Sequence, residues 1–475
     1  MKVLDQRHLP EDRPATMDEK GKRVFVFPAS VSGFWRHARS VVEVFLVIFF
    51  LTLPWIKIGG HQALLLDIAN RRFSVFGLTF WAHDAPLIFF ILAFLSIGLA
   101  FVTAIWGRIW CGWACPQTVF IDGVFRRLEY WIIGSHIQQR NLAKAPWNPK
   151  KFFKLSILWT FFLIVSLVIA HSFLAYFVGA EKLVEMTQHN PGENWTIFVI
   201  MAFISAVILF DFGWFREQFC IIMCPYGRFQ SVLMDDDSLT VSYDQVRGEP
   251  RRGTVEEGQK EGDCIDCYKC VAVCPTGIDI RRGLQLECIC CTACIDACDE
   301  VMEKIGKPKG LIRYATGSSL KGIATKLLRP RVAIYSVLLI AVISTLIFSI
   351  SRREDIDITV LRAKDNPYQV VNNGDQGEDV INHFKMHIKN QTFDDLRLGV
   401  ALPADLQTKD VEIVSQSDTI ELEAGKDVTL HFFVKFPKEV TGKEGVRNIT
   451  VDFIDLKDNE VLIKEDVKLV GPKSI

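Results

Sequence analysis

The chain has 475 residues, 49% of them hydrophobic, with 35 Phe, 11 Trp and a mean hydropathy of +0.21. It is too long for a single compact core and richer in apolar stretches than a soluble interior requires. The net charge of −1 offers no basis for nucleic-acid binding, because basic and acidic residues are segregated along the sequence.

Residues 1–40 are polar and charged, with no short apolar run ending at a small-residue cleavage site, so they read as a cytosolic N-terminal segment without a cleaved signal. Residues 41–212 hold four of five segments that approach the roughly 20 apolar residues a membrane-crossing helix needs. These run from Val41 to Ile56, Pro86 to Trp106, Leu155 to Val178 and Trp195 to Phe212; the fifth, residues 332–350, runs from Val332 to Ile350. The first is the weakest. Glu43 and Pro54 interrupt its ends, and an interfacial helix is its alternative.

Orientation follows Lys and Arg, which are retained on the cytosolic side near span ends. Lys22, Arg23, Arg36 and Arg39 precede the first span, and Arg108, Arg126, Arg127, Arg140, Lys144, Lys150, Lys151 and Lys154 follow the second. Both regions are expected to be cytosolic. Arg71 and Arg72, after the first span, break the rule mildly. Five spans then place residues 213–331 inside and residues 351–475 outside, which in a Gram-negative cell is the periplasm.

Two short repeats flank the spans. After the second comes Trp110-Cys111-Gly112-Trp113-Ala114-Cys115-Pro116-Gln117, and after the fourth Phe219-Cys220-Ile221-Ile222-Met223-Cys224-Pro225-Tyr226-Gly227. Both read CxxxCP, each with an arginine just upstream, Arg108 or Arg216. Cysteines four apart share a helix face, and the proline predicts a break after the second. The four thiols are expected at the cytosolic membrane edge, where they could converge on Cu(I), zinc or a further iron-sulfur centre. Buried, inert cysteine is the bland alternative.

Residues 213–331 carry the most specific signal. Cys264, Cys267, Cys270 and Cys274-Pro275, then Cys288, Cys291, Cys294 and Cys298, form two CxxCxxCxxxC runs, the first ending in the CP of bacterial ferredoxins. In such pairs the fourth cysteine of each run reaches the other cluster. The expected 4Fe-4S ligand sets are therefore Cys264, Cys267, Cys270 with Cys298, and Cys288, Cys291, Cys294 with Cys274. Zinc binding by paired CxxC elements is the competing reading. Cys290 falls off the pattern and reads as a spare thiol near the second cluster.

His171 and Tyr176 in the third span could face a partner or a pathway, with interfacial packing as the alternative. Met223 could add a soft thioether or simply pack. From about Asp355, short alternating runs such as Ile381 to Ile388, Val428 to Phe436 and Val446 to Phe453 are separated by turn signals including Asn372-Asn373-Gly374, Ala424-Gly425-Lys426 and Lys457-Asp458-Asn459. Roughly seven such strands predict an immunoglobulin-like β-sandwich. His383 and His387 alternate onto one face, a solvated strand face in preference to a copper site. The fold class is thus a mixed membrane protein: an α-helical bundle of about five spans, an inserted two-cluster ferredoxin module and a C-terminal β-sandwich.

The Trp-Cys-Gly-Trp-x-Cys-Pro-Gln and Cys-x-x-x-Cys-Pro-Tyr-Gly-Arg stretches, the double ferredoxin run and the sandwich tail together resemble the cytochrome c oxidase accessory protein family, called CcoG, FixG or RdxA. Matching runs are Phe76-Gly77-Leu78-Thr79-Phe80-Trp81, Gly283-Leu284-Gln285 and Gly310-Leu311-Ile312-Arg313-Tyr314. Cys290 stands where that family leads one to expect a small residue such as Gly. The resemblance implies an inner-membrane cupric reductase that converts Cu(II) to Cu(I) for assembly of cbb3-type cytochrome oxidase, with Cys111, Cys115, Cys220 and Cys224 as the copper site. Expected partners are the lipid bilayer, copper ions, oxidase assembly factors or copper chaperones and an unidentified electron donor, with a homo-oligomer also open. The alternatives are a quinol-linked electron conduit without a metal-ion substrate, and a non-catalytic assembly scaffold.

Overall fold

A computed structural model describes residues 4, 14–81, 84–252, 261–353, 356–364, 366–372, 378–392, 394–402, 411–415, 419–457 and 460–473. Among the described residues, five helices are long and apolar enough to cross a membrane: Phe34–Trp55, Pro86–Trp106, Pro149–Val178, Trp195–Phe215 and Pro330–Ser351. Their ends differ from the sequence expectation for identifiable reasons. The first begins at Phe34, seven residues ahead of Val41, because Arg39 and Glu43 pair at 3.3 Å with 2% and 1% exposure, so the acid that looked like an interruption is neutralised inside the fold. The third begins at Pro149, where Asn148 accepts from the Lys151 amide at 2.7 Å and proline occupies the first helical position.

The chain divides into two compact units, Met1–Asp67 with Leu87–Leu346 and Ile68–Pro86 with Ile347–Ile475. In the first unit, Phe120 and Phe125 pack on Phe162 and Phe212 in a shared core, with ring centroids 4.8 Å apart for Phe125 and Phe162 and 5.5 Å for Phe120 and Phe212. The segment after the first cysteine repeat is therefore built into the bundle of the third and fourth spans. The ferredoxin region pairs Thr240–Tyr243 antiparallel with Ile312–Ala315 and adds the helices Lys269–Ala272 and Ala293–Lys304. Val241, Val271, Ile295, Met302, Leu311 and Ile312 fill its core.

In the second unit the strands are β1 (Ile356–Arg362), β2 (Gln369–Asn372), β3 (Glu378–Asn390), β4 (Leu396–Ala401), β5 (Glu412–Ser415), β6 (Ile420–Leu422), β7 (Asp427–Pro437), β8 (Val446–Asp455) and β9 (Glu460–Val470). One sheet has the order β5-β7-β3-β1, with β2 also on β3, and the other β6-β4-β8-β9. Along β3, Val380, Phe384, Met386 and Ile388 point into the sandwich while His383, Lys385 and His387 point away, as period-2 alternation requires. The three predicted runs fall inside β3, β7 and β8; the turn signals at Asn373-Gly374 and Asp458-Asn459 lie outside the described residues.

The same unit includes the hairpin Arg72–Val75 and Leu78–Trp81. Its two turn residues, Phe76 and Gly77, have φ of 50° and 88°, the left-handed pair that matches strand twist in a tight hairpin. Thr79 Oγ1 donates to the Gln391 carbonyl at 2.6 Å, and Arg353 pairs with Asp84 at 2.9 Å.

Candidate metal centres

Each CxxxCP repeat is two helical pieces with a corner between them. Cys111 sits in the helix Ile109–Trp113, and Cys115, extended at φ −64° and ψ 126°, begins the helix Pro116–Phe120. Cys220 sits in a π-helical turn, Phe219–Met223, and Cys224, extended at φ −69° and ψ 112°, begins Pro225–Leu233. Proline holds the residue before it out of the helical region and is well placed at the first position of the next helix. The break is as predicted, but it means that neither pair lies along one continuous helix face. At Gly227 a Cβ would stand 2.8 Å from the Cys220 carbonyl, so this turn closes only with glycine there.

The two repeats meet through reciprocal contacts. Gln230, on the helix after the second repeat, donates from Nε2 to the sulfur of Cys111 at 2.8 Å. Gln117, on the helix after the first, donates to Asp211 Oδ1 at 3.0 Å and to the Arg216 carbonyl at 3.2 Å. Buried ion pairs reinforce the crossing: Arg216 grips both oxygens of Glu129, at 3.0 and 2.5 Å, while Arg126 pairs with Glu217. All four thiols then lie within electrostatic reach of one another.

Burial pushes the Cys111 thiol up to about 12 against the opposing Gln230 hydrogen bond, and pushes Cys220 up as well. It also raises Cys115, against hydrogen bonds from the Gln117 and Thr118 amides. Such thiols keep their protons at neutral pH. A metal cation is the agent that would displace them and leave thiolates.

In the ferredoxin region, one cavity is lined by Cys264, Cys267, Cys270 and Cys298, together with Tyr268, Met302 and Ile312. A second is lined by Cys274, Cys288, Cys291 and Cys294, and also by Cys270 and Cys290. Burial raises the thiols of Cys270, Cys274 and Cys294, and that of Cys298 to about 12. Two largely apolar cavities, each lined by the four cysteines that the spacing assigns to one cluster, fit thiolate-held iron-sulfur clusters in donor type and donor number. A 4Fe-4S cluster bound there would supply one-electron transfer.

The two loops repeat their backbone geometry. Asp266 and Tyr268 have φ of 54° and 56°, and Cys290 and Thr292, at the same two places in the second run, have 53° and 63°. The place Cys290 fills is therefore a left-handed one, which favours Gly, Asn or Asp and explains why a small residue was expected. Cys290 is 1% exposed. It shares a hydrogen bond with Cys288 that pulls the Cys290 thiol down and the Cys288 thiol up.

The remaining sequence candidates stand apart from these centres. His171 hydrogen-bonds the Leu167 carbonyl of its own helix at 2.9 Å, and Tyr176 donates to the Phe50 carbonyl at 2.6 Å, tying the third span to the first. Met223 is 62% exposed. On the outer face of β3, His383 Nε2 lies 2.8 Å from His431 Nδ1, and His387 meets Thr429. Gln230, Gln117, Glu129 and Glu217 were missed by sequence reasoning. Only Gln117, directly after the first CP, stands inside a repeat; the other three are placed by contacts between distant segments, which spacing does not announce.

Known proteins resemble this chain along most of its length. The pattern described as a 4Fe-4S dicluster domain matches residues 215–317, a 4Fe-4S binding domain matches 87–137 and 193–235, and the IG-like fold at the C-terminus of FixG matches 346–472. Protein RdxA of Cereibacter sphaeroides is 37% identical over 80% of this chain and 82% of its own length. The chain belongs to the FixG/RdxA family. RdxB of the same organism is 37% identical over 81% of the chain and 83% of its own, and the nitrogen fixation protein FixG of Rhizobium meliloti is 32% identical over 88% and 87%. This member of the FixG/RdxA family is a membrane iron-sulfur electron-transfer protein with an immunoglobulin-like C-terminal domain.

Proposed function

We propose that this FixG/RdxA-family protein reduces Cu(II) to Cu(I) at Cys111, Cys115, Cys220 and Cys224, for assembly of a cbb3-type cytochrome oxidase. Cys264, Cys267, Cys270 and Cys298 hold one 4Fe-4S cluster, and Cys288, Cys291, Cys294 and Cys274 hold the other. The observation that carries the copper reading is the convergence of four partly buried thiols within electrostatic reach of one another, joined through the Gln230 contact to Cys111. Cupric ion prefers nitrogen and oxygen ligands and cuprous ion prefers sulfur, so four cysteines bind the product more tightly than the substrate and favour the one-electron reduction. The electron comes from the ferredoxin region, which a cytosolic one-electron donor refills. Copper chaperones or oxidase assembly factors take the product onward.

Basic residues around the first and second spans favour a cytosolic N-terminus and ferredoxin region in a bacterial inner membrane. The hairpin of residues 72–81 and the sandwich share one compact unit, which supports placing the loop after the first span and the C-terminal domain on one side, the periplasmic one.

A second reading is favoured by one observation. The 4Fe-4S binding pattern covers both CxxxCP repeats, so these four cysteines would hold a third cluster in an electron conduit, with a quinol as the membrane partner. X-ray absorption on anaerobic protein loaded with Cu(I), with iron analysis of the same sample, separates the two. Copper scattering from sulfur alone, lost in Cys115→Ala and Cys224→Ala, with iron for two clusters, is the result expected. Iron for three clusters, one of them lost in those variants, would overturn the copper site.

A further inference from the structure

The arginines that precede the two repeats have different surroundings. Arg216 is held by both oxygens of Glu129. Arg108 is more deeply buried, at 2% exposure against 7%, yet among the described residues no carboxylate pairs with it. Its Nη1 donates to the carbonyls of Leu286 and Cys288, the latter at 2.9 Å, and its Nε is buried without an acceptor. A buried cation left in that state is costly unless anionic groups stand close by. Its charge acts on three thiols, those of Cys288 and Cys290 in the second ligand loop and that of Cys111 at the membrane edge, each of which it favours in the anionic form.

The backbone next to Arg108 makes the same junction. A Cβ on Gly112 would lie 2.4 Å from the Cys290 carbonyl and 2.7 Å from the Ile289 carbonyl, so the loop carrying Cys111 is seated directly on the loop carrying Cys288 and Cys291. Arg39 Nε donates to the Gly112 carbonyl at 2.7 Å, and Trp113 Nε1 donates to Tyr314 Oη at 3.1 Å, fixing the C-terminal end of the stretch that Arg108 begins. Apart from the Arg39 bond, these contacts of residues 108–113 fall on residues 286–290 and on Tyr314, beside the cavity lined by Cys274, Cys288, Cys291 and Cys294. None of them reaches Cys264, Cys267 or Cys298, which line the other cavity.

We infer that Arg108 is a positioning residue that clamps the ligand loop of the second cysteine set onto the membrane-edge thiols, making that set the one that passes electrons to them. The step carries one electron and breaks no bond: the second centre is oxidised by one electron and the acceptor at the edge is reduced by one. The guanidinium lowers the energy of added negative charge on the side where Cys288 sits, so it raises the reduction potential of the second set above what its sulfurs alone would give. The inference rests on the two-cluster reading of the ferredoxin region and is independent of whether copper is the acceptor.

The test is an EPR-monitored redox titration of the full-length protein, purified anaerobically in detergent without copper. Cys267→Ser and Cys291→Ser assign the signals to the first and second sets. Arg108→Gln is expected to lower the midpoint potential of the second set and leave the first in place, and Arg108→Lys, which keeps the charge, to move it less. Equal movement of both sets, movement of the first alone, or no movement overturns the inference. Should Arg108→Gln assemble no clusters, Gly112→Ala decides. It keeps the charge but drives a methyl group into the Cys290 carbonyl, so an altered EPR signature confined to the second set supports the clamp, and an unaltered one refutes it. Because no copper is present, failure here leaves the cupric reading standing, and failure of that reading leaves this result intact.

Discussion

The side-chain amide of Gln230 donates to the sulfur of Cys111 across 2.8 Å, joining the helix that follows the second CxxxCP repeat to the first cysteine of the first. It supplies the polar partner that a desolvated thiolate needs once a metal cation has displaced the thiol proton into solvent, and it fixes where that sulfur points.

Replacing Gln230 with Leu removes the donor and leaves the shape. Partners of metal ligands are typically worth about 10- to 100-fold in metal affinity. Gln230→Leu is expected to weaken Cu(I) binding by that order in competition with a Cu(I) chelator, with the iron content of the ferredoxin region unchanged. Unchanged Cu(I) affinity would remove Gln230 from the site.

Affinity for Cu(I) is expected to rise with pH through the neutral range. The Cys111 thiol is held near 12 by burial and Cys220 is raised too, so both are protonated at pH 7, and binding must release their protons. Each proton released adds up to about tenfold per pH unit. Isothermal titration at several pH values in buffers of different ionisation enthalpy reads this number directly. A flat profile would mean the thiols are already ionised or not ligands.

Asp122 pairs with Arg39 at 2.5 Å and also with Arg126, and all three are at least nine-tenths buried. Removing the shared carboxylate leaves two buried cations short of a partner. Asp122→Asn should destabilise the protein by about 3–5 kcal/mol, seen as a lower melting temperature of the detergent-solubilised protein. A variant as stable as the parent would show the network to be dispensable.

Cys290 occupies a left-handed backbone position, which costs a non-glycine residue roughly 1–2 kcal/mol. Cys290→Gly should therefore keep both clusters and gain slightly in stability, while the β-branched Cys290→Val should lose the second cluster. Iron and acid-labile sulfide per chain measure both. Loss of a cluster in Cys290→Gly would make Cys290 a ligand.

Spacing is local, and what spacing determines was legible before any coordinates. Cys264 to Cys298 read as a ferredoxin from their intervals, and the alternation of Ile381 to Ile388 read as a strand whose outward residues include His383 and His387. Ion pairing between distant segments is not local. Glu43 looked like the flaw in the first span although its partner Arg39 stands only four residues before it, because Arg39 fell in a segment read as an extramembrane tail, and its more distant partner Arg127 lies 84 residues on. Glu129 with Arg216, and Arg126 with Glu217, join residues 87 and 91 positions apart, which no periodicity announces. The proline after each second cysteine did announce the helix break, but the same break removes the single shared face that i, i+4 spacing would have produced.

The measurement that bears most directly on the copper reading mixes anaerobic, chemically reduced protein with Cu(II) and a Cu(I)-specific chelator. It follows cluster oxidation by EPR and Cu(I) by absorbance in wild type, Cys115→Ala and Cys224→Ala. The account predicts Cu(I) appearing in step with cluster oxidation in wild type, and variants that keep both clusters but lose this coupling. Clusters that stay reduced beside Cu(II), or variants that match wild type, would contradict it.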